Sequence, residues 1–160
     1  MKETKQHKKE KVGYSLASVM VEDYFSRLNE NFDIKSEVGF NVGMNFLVAS
    51  DLTHIVIRTT VKLYLKTTNQ VQDPPILAQL TTQVVFNTKN LEVYQNSDEI
   101  APPKEFLESI VNVAVSTSRG LFIGKNFGSN YAHLVLPLID TNVLIPKKPF
   151  KYTPAKEKEV

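Results

Sequence analysis

The sequence predicts an α+β domain in which four antiparallel strands are followed by one long helix that packs on a face of the sheet. Three runs of residues alternate between apolar and polar side chains, as half-buried strands do, and the apolar spacing changes to that of a helix after residue 103. At 160 residues the chain is long enough for one domain with a substantial core. The strands form a meander or a Greek key, and the sequence favours neither.

The alternating runs define the second, third and fourth strands, at residues 36–49, 54–67 and 76–87. Each run places a set of apolar side chains on one face: Val38, Phe40, Val42, Met44, Phe46 and Val48 in the first; Ile55, Ile57, Val61, Leu63 and Leu65 in the second; Ile76, Ala78, Leu80, Val84 and Phe86 in the third. Because the link at residues 50–53 is short and turn-like, the first two of these runs pair antiparallel.

The first predicted element, residues 14–22, fits two patterns. Tyr14, Leu16 and Met20 have the spacing of a strand, whereas Leu16, Met20 and Tyr24 have the spacing of a helix. We predict a strand, for a reason that comes from the resemblance described below.

The helix is predicted over residues 104–119, because Pro102 and Pro103 suit a helix start and acidic side chains follow in its first turns. We expect it to end at Gly120, with residues 124–130 in a loop and residues 133–146 extended along the body. Its apolar residues cover more than one stripe, so it must be buried on two sides. These residues are Phe106, Leu107, Ile110, Val111, Val113, Ala114 and Val115. The sheet covers one side, the second cover is another element or another subunit, and we expect it to be a copy of the same chain.

Charge is distributed unevenly along the chain, since residues 1–11 and residues 147–160 each hold five lysines and two glutamates. We predict basic flexible tails at residues 1–12 and 147–160 that flank a domain at residues 13–146. Solvated tails explain this charge better than nucleic-acid binding does. No run reaches 18 apolar residues, so we predict no membrane span, and the absence of cysteine fits a cytoplasmic protein.

We find no arrangement of residues that carries a known catalytic chemistry. The histidines, His7, His54 and His133, lack metal-ligand spacing, and the acidic side chains are scattered. We therefore predict no enzyme activity, no metal and no cofactor. One face of residues 36–49 carries Asn41, Asn45 and two glycines, which suits either a solvated surface or the close approach of another backbone.

Three stretches together resemble the SecB family of export chaperones, and the resemblance covers residues 14–146. YSLASVMVEDYFSRL at residues 14–28 looks like the family's first strand and the Phe-x-Arg turn after it, which is why we prefer a strand there. LESIVNVAVSTSRGLF at residues 107–122 carries the Ser-Arg-Gly of the family's helix end, and LVLPLIDTNVL at residues 134–144 is similar to its extended segment. The matching positions are Phe25, Arg27, Ser118, Arg119, Gly120, Leu134, Pro137, Leu138, Ile139 and Leu144.

The resemblance implies an ATP-independent holdase that binds unfolded or extended polypeptides in the cytoplasm, with a role in protein export. It also implies a homotetramer, a dimer of dimers, whose subunit interface would include Phe106, Leu107, Ile110, Val111, Val113 and Ala114. The sequence after Pro146 is too short and too rich in proline for the family's second C-terminal helix, so contact with a SecA-type motor is uncertain. The alternative is an interaction subunit dedicated to one partner, such as an antitoxin.

Candidate client-binding residues are apolar side chains of the second strand and of the region around the helix end. They are Phe40, Met44, Phe46, Phe122, Phe127, Tyr131 and Leu136. The alternation of the second strand equally suits core positions for its three members, so both interpretations stay open there.

Overall fold

The computed structural model describes residues 11–27, 32, 37–66 and 74–151. Its main strands are β1 (Gly13–Ser26), β2 (Val38–Val48), β3 (His54–Leu65) and β4 (Ile76–Lys89), and its helix is α1 (Lys104–Asn126). Short strands β5 (Gln95–Asn96), β6 (Glu99–Ile100) and β7 (Phe150–Lys151) form a second small sheet, and 3₁₀ turns occur at Leu91–Tyr94 and Thr141–Leu144. The predicted α+β class and the order of four strands before one long helix are confirmed.

The main sheet is antiparallel throughout and has the order β1-β4-β3-β2. The strands β2, β3 and β4 follow one another as neighbours, and β1 lies beside β4, so the sheet is a Greek key rather than a meander. Strands β1 and β2 are therefore the two edges of the sheet, and the connection between them crosses from one edge to the other.

Strand β1 is distorted by two bulges, one between Leu16 and Ser18 and one between Val21 and Asp23. Each bulge inserts one residue and so shifts the alternation by one position. As a result, successive residues on one face of the strand are two, three, two and three positions apart in the sequence. These are Tyr14, Leu16, Val19, Val21 and Tyr24, which pair with Thr88, Phe86, Val84, Thr82 and Leu80. The predicted strand is confirmed, but Met20, which both patterns placed with Leu16, pairs with Gln83 and lies on the opposite face because of the bulges.

A third bulge corrects the predicted face of β4. Leu63 pairs with Ala78 while Tyr64 pairs with Ile76, so Leu77 is the extra residue and is buried in the core. Ile76, predicted to share the face of Ala78, lies instead beside Tyr64 on the outer face of the sheet.

Helix α1 continues seven residues beyond its predicted end at Arg119, so Gly120 does not stop it and residues 124–126 are helical. A glycine inside a helix costs about 1 kcal/mol relative to alanine. Burial of Phe122 against the sheet offsets this cost, because a fully buried phenylalanine contributes roughly 1.5–3 kcal/mol. Asn126 Nδ2 donates to the Phe122 carbonyl at 2.8 Å, and the chain then turns at Gly128, whose φ is 81°.

Both covers of α1 come from the chain itself. One side of the helix packs on β3 and β4, and the segment that contains the 3₁₀ turn Thr141–Leu144 packs on another side. Thr141 Oγ1 donates to Asn112 Oδ1 at 2.8 Å, and Ile139, Leu144 and Ile145 pack against the core beside it. The sequence allowed the second side of the helix to be covered by another element of the chain or by another subunit. In the structure, a segment of the same chain covers it.

Strand β7 lies beyond residue 146, where we expected the domain to end. Phe150 is only 8% exposed, and β7 pairs with β6 through Ile100 and Glu99. Residues 1–10 and 152–160, which include most of both predicted tails, lie outside the described residues. Helix α1 is long and apolar enough to span a membrane by length and composition alone. One side of the helix packs on β3 and β4, as a helix of a folded domain does.

Candidate functional site

The segment that follows α1 presents large apolar side chains to solvent, and we call this surface the apolar strip. Its members are Phe127, Val135, Leu138 and Val143. Phe127 is 87% exposed and Leu138 is 89% exposed, although isolated side chains of this kind usually lie partly under their neighbours. Exposed apolar side chains that form a contiguous patch are typical of a binding surface, and these four lie within residues 127–143 of the chain.

The apolar strip is held in place by neighbours that point inward from the same segment. Leu136 and Tyr131 are buried in the core, at 1% and 2% exposure. The Tyr131 hydroxyl donates to the Arg27 carbonyl, and its ring meets the ring of Phe32 edge-on with centroids 4.9 Å apart. Asp140 Oδ1 accepts from the Asn142 backbone N–H at 3.0 Å and fixes the following turn. The strip is therefore an extended segment anchored to a packed scaffold.

Strand β1 forms a second exposed apolar surface, which we call the β1 edge. Leu16 is 52% exposed, and Tyr14, Val19 and Met20 are also exposed. Because β1 is an edge strand of 14 residues, one row of its backbone N–H and C=O groups has no partner strand among the described residues. Edge strands with these properties readily pair with another extended chain.

The seven predicted client-binding residues are divided between the core and the surface. Phe122, Tyr131 and Leu136 are buried, and Phe40, Met44 and Phe46 are partly buried on the face that carries α1. The Phe40 and Phe122 rings meet edge-on at 6.4 Å, and the Phe46 ring lies 5.5 Å from that of Phe150. Among the seven, Phe127 is available to a ligand without any rearrangement.

Five of the six predicted interface residues of α1 are buried within the single chain: Phe106, Leu107, Ile110, Val111 and Ala114. Val113 is partly buried. The exposed face of the helix carries Glu105, Asn112, Ser116 and Gly120 instead. Ile123, which is 38% exposed, lies on the same face. A second copy that docks there would meet small and polar side chains and one apolar side chain, and the subunit interface stays a prediction.

The two glycines of β2 lie on the outer face of the sheet, where the sequence suited either a solvated surface or the close approach of another backbone. A Cβ atom on Gly39 would lie 2.2 Å from Tyr64 Cζ, so the missing side chain makes room for the neighbouring tyrosine ring. Gly43 has open space around it, and Asn41 and Asn45 are exposed. Gly39 thus serves packing within the sheet rather than the approach of another backbone.

Two sets of polar side chains in the described regions stabilise the sheet. Arg58 pairs with Glu22 across the sheet. In the turn between β2 and β3, hydrogen bonds from the Thr53 backbone N–H and from its hydroxyl lower the pKa of Asp51. The part of the chain that the structure describes contains no cluster of three or more His, Asp or Glu side chains that could hold a metal ion. These contacts stabilise the sheet and its turn.

Sequence reasoning missed Val135, Leu138 and Val143 of the apolar strip and Leu16 and Val19 of the β1 edge. Residues 134–139 are all apolar, so no alternation shows which side chains point outward. In β1 the two bulges hide the alternation. Neither surface leaves a periodic signal that a reading of the sequence could find.

No family model matches the sequence, and no curated protein matches it. Among solved structures, the chain is similar to the Mycobacterium tuberculosis SecB-like chaperone in complex with a ChAD peptide from the HigA1 antitoxin. The similarity has 11% sequence identity and a TM-score of 0.49, and it covers 79% of this chain and 90% of that one.

Proposed function

We propose that this protein is a molecular chaperone that holds extended, non-native polypeptides without ATP. The observation that carries the proposal is the apolar strip, in which Phe127 and Leu138 stand in solvent on a segment anchored by buried Tyr131 and Leu136. A folded protein gains nothing for its own stability from these exposed side chains. A non-native chain, whose apolar side chains are also exposed, gains by burying them there.

The strength of such binding follows from the area that is buried. Covering a phenylalanine or leucine side chain contributes roughly 1.5–3 kcal/mol, so one strip binds a client weakly and without strong selection. Several strips on one oligomer would bind one long client at several points, and this multivalency raises the overall affinity. Self-association therefore belongs to the proposed mechanism.

The β1 edge supports self-association through pairing with the β1 of a second copy. In an antiparallel pair related by a twofold axis, the beginning of one strand lies against the end of the other. The beginning of β1 is preceded by Lys11, and its later part carries Asp23, whereas Glu22 is already paired with Arg58. Opposite charges would then face each other at both ends, and Leu16 and Val19 would be covered in the middle. A dimer of two such dimers is the assembly that we propose.

Light scattering of aggregating proteins tests the holding activity. We expect stoichiometric amounts of the protein to suppress the aggregation of several unrelated unfolded proteins, in the absence of ATP. The double variant Phe127→Ser with Leu138→Ser should lose most of this suppression while keeping the circular dichroism spectrum of the parent.

Leu47→Ser is the matched control, because Leu47 is an exposed leucine on the opposite face of the sheet. Equal loss in the control would remove the apolar strip as the binding surface. Suppression of no client, or of one partner alone, would replace general holding by the dedicated-partner alternative. A cytoplasmic location, a role in export and contact with a SecA-type motor stay predictions.

A further inference from the structure

A cavity of about 550 Å³ opens beside the first turn of α1 and is lined by three lysines and several apolar residues. We call it the basic groove and define it by Lys104, Lys147, Lys148, Leu107, Ile145 and Phe150. Its volume lies within the range of sites that bind small ligands or parts of larger ones. None of the described residues that line the groove belongs to the apolar strip or to the β1 edge.

A second cavity of about 510 Å³ lies on the other side of the same C-terminal segment. The two cavities share Ile145, Pro146, Lys148, Pro149 and Phe150, and the second adds Lys151. Within the described ranges of the chain, no carboxylate lines either cavity. The segment at residues 145–151 thus lies between the two cavities, and its apolar and lysine side chains line both of them.

Two of the three lysines that line the groove are available to bind an anionic group. Lys104 Nζ already pairs with Glu108 at 3.2 Å, whereas Lys147 and Lys148 are exposed and form no ion pair within the described part of the chain. The groove also contains the N-terminal turn of a helix of 23 residues, whose dipole adds a partial positive charge at that end. An anionic group is therefore the complementary ligand.

We propose that the basic groove binds polypeptide segments in which acidic side chains adjoin apolar ones. Ile145, Pro146 and Pro149 are the accessible part of an apolar wall that a free inorganic anion would leave uncovered, and Lys147 and Lys148 lie beside it in the chain. Phe150 is 8% exposed and cannot stack on a nucleotide base, so the groove suits a peptide better than a single-stranded nucleic acid. This assignment rests on the proposed function. It states which client segments the groove would hold, namely those in which acidic side chains adjoin apolar ones.

Fluorescence anisotropy with short labelled peptides tests the assignment on the full-length protein. The first peptide carries two glutamates beside a phenylalanine, the second has glutamines in their place, and the third has serine in place of the phenylalanine. We expect the first to bind most tightly, with its preference over the second weakened by added salt because exposed charges are screened. Loss of the phenylalanine should weaken binding by about tenfold or more.

The variant Lys147→Gln with Lys148→Gln should bind the acidic peptide about two- to fivefold more weakly for each lysine removed, and the glutamine peptide as the parent does. Lys66→Gln is the matched control, since Lys66 is an exposed lysine that follows β3, away from the groove. Equal binding of the first two peptides by the parent, or an unchanged preference in the double variant, overturns the proposal. Tighter binding of a single-stranded oligonucleotide at the same lysines also overturns it.

The aggregation assay separates this proposal from the proposed function. If the double variant still protects clients that lack acidic segments while losing the acidic peptide, both stand. If the parent protects clients but shows no preference for the acidic peptide, the groove assignment fails alone. If the parent binds the acidic peptide and protects no client, general holding fails and the groove remains a peptide site.

Discussion

At the scale of single residues, three hydroxyl groups divide the core. Thr82 Oγ1 and Ser118 Oγ lie 2.6 Å apart, and Ser118 also donates to the Ala114 carbonyl at 2.8 Å. Thr59, which pairs with Thr82 across β3 and β4, is buried, and its hydroxyl has no hydrogen-bond partner among the residues that the structure describes. One apolar cluster lies on each side of this polar layer, toward the beginning and toward the end of α1.

Thr59→Val should stabilise the protein by about 1 kcal/mol, because the hydroxyl is hydrated in the unfolded chain and unsatisfied in the folded one. For a chain of this size the melting temperature would rise by roughly 2–4 °C. Thermal unfolding followed by circular dichroism measures the change. Ser118→Ala is the control and should destabilise by about 1–3 kcal/mol, since it leaves the Thr82 hydroxyl unpaired. A lower melting temperature for Thr59→Val would mean that the hydroxyl has a partner.

At the scale of elements, packing overrides the local signals that end a helix. Gly120 has the residue type of a helix end, yet α1 continues to Asn126 because Phe122 is buried on the sheet. The turn comes at Gly128, where the backbone takes the left-handed conformation that glycine tolerates best. A glycine thus occurs both at the predicted end of the helix, residue 120, and just after its observed end, residue 128.

Gly120→Ala should stabilise the protein by about 1 kcal/mol, because alanine is the better helix former and a Cβ there meets open space. Gly128→Ala should destabilise by roughly 1–2 kcal/mol, since its φ of 81° places a side chain against the backbone. Urea unfolding of both variants measures the two effects. Destabilisation by Gly120→Ala would place the end of the helix at residue 120 after all.

At the scale of the whole molecule, the chain covers its own helix and leaves its edge strand open. The C-terminal segment packs on α1 through Ile139, Leu144 and Ile145, so the helix needs no second copy for its burial. By contrast, the described residues leave Tyr14, Leu16, Val19 and Met20 of β1 exposed. Any assembly is therefore expected to begin at the sheet edge.

Leu16→Lys with Val19→Lys should break the pairing at the β1 edge and so lower the mass of the assembly at micromolar concentration, because two like charges would meet their copies across the twofold axis. Sedimentation velocity measures the mass. Leu47→Lys, which changes an exposed leucine of the other edge strand, should leave the oligomer intact. A parent protein that is already a monomer under these conditions would refute pairing at the β1 edge.

The sequence by itself determined the α+β class, the three regular strands and the start of the helix, because these depend on local alternation and on the prolines before residue 104. It did not determine the place of β1, the bulges of β1 and β4, or the end of α1. Tertiary structure decided these, since each depends on which side chains of distant strands meet. The same holds for the candidate site: Phe127 was found as an aromatic residue in a predicted loop, but only packing showed that Tyr131 and Leu136 point inward while Val135 and Leu138 point out.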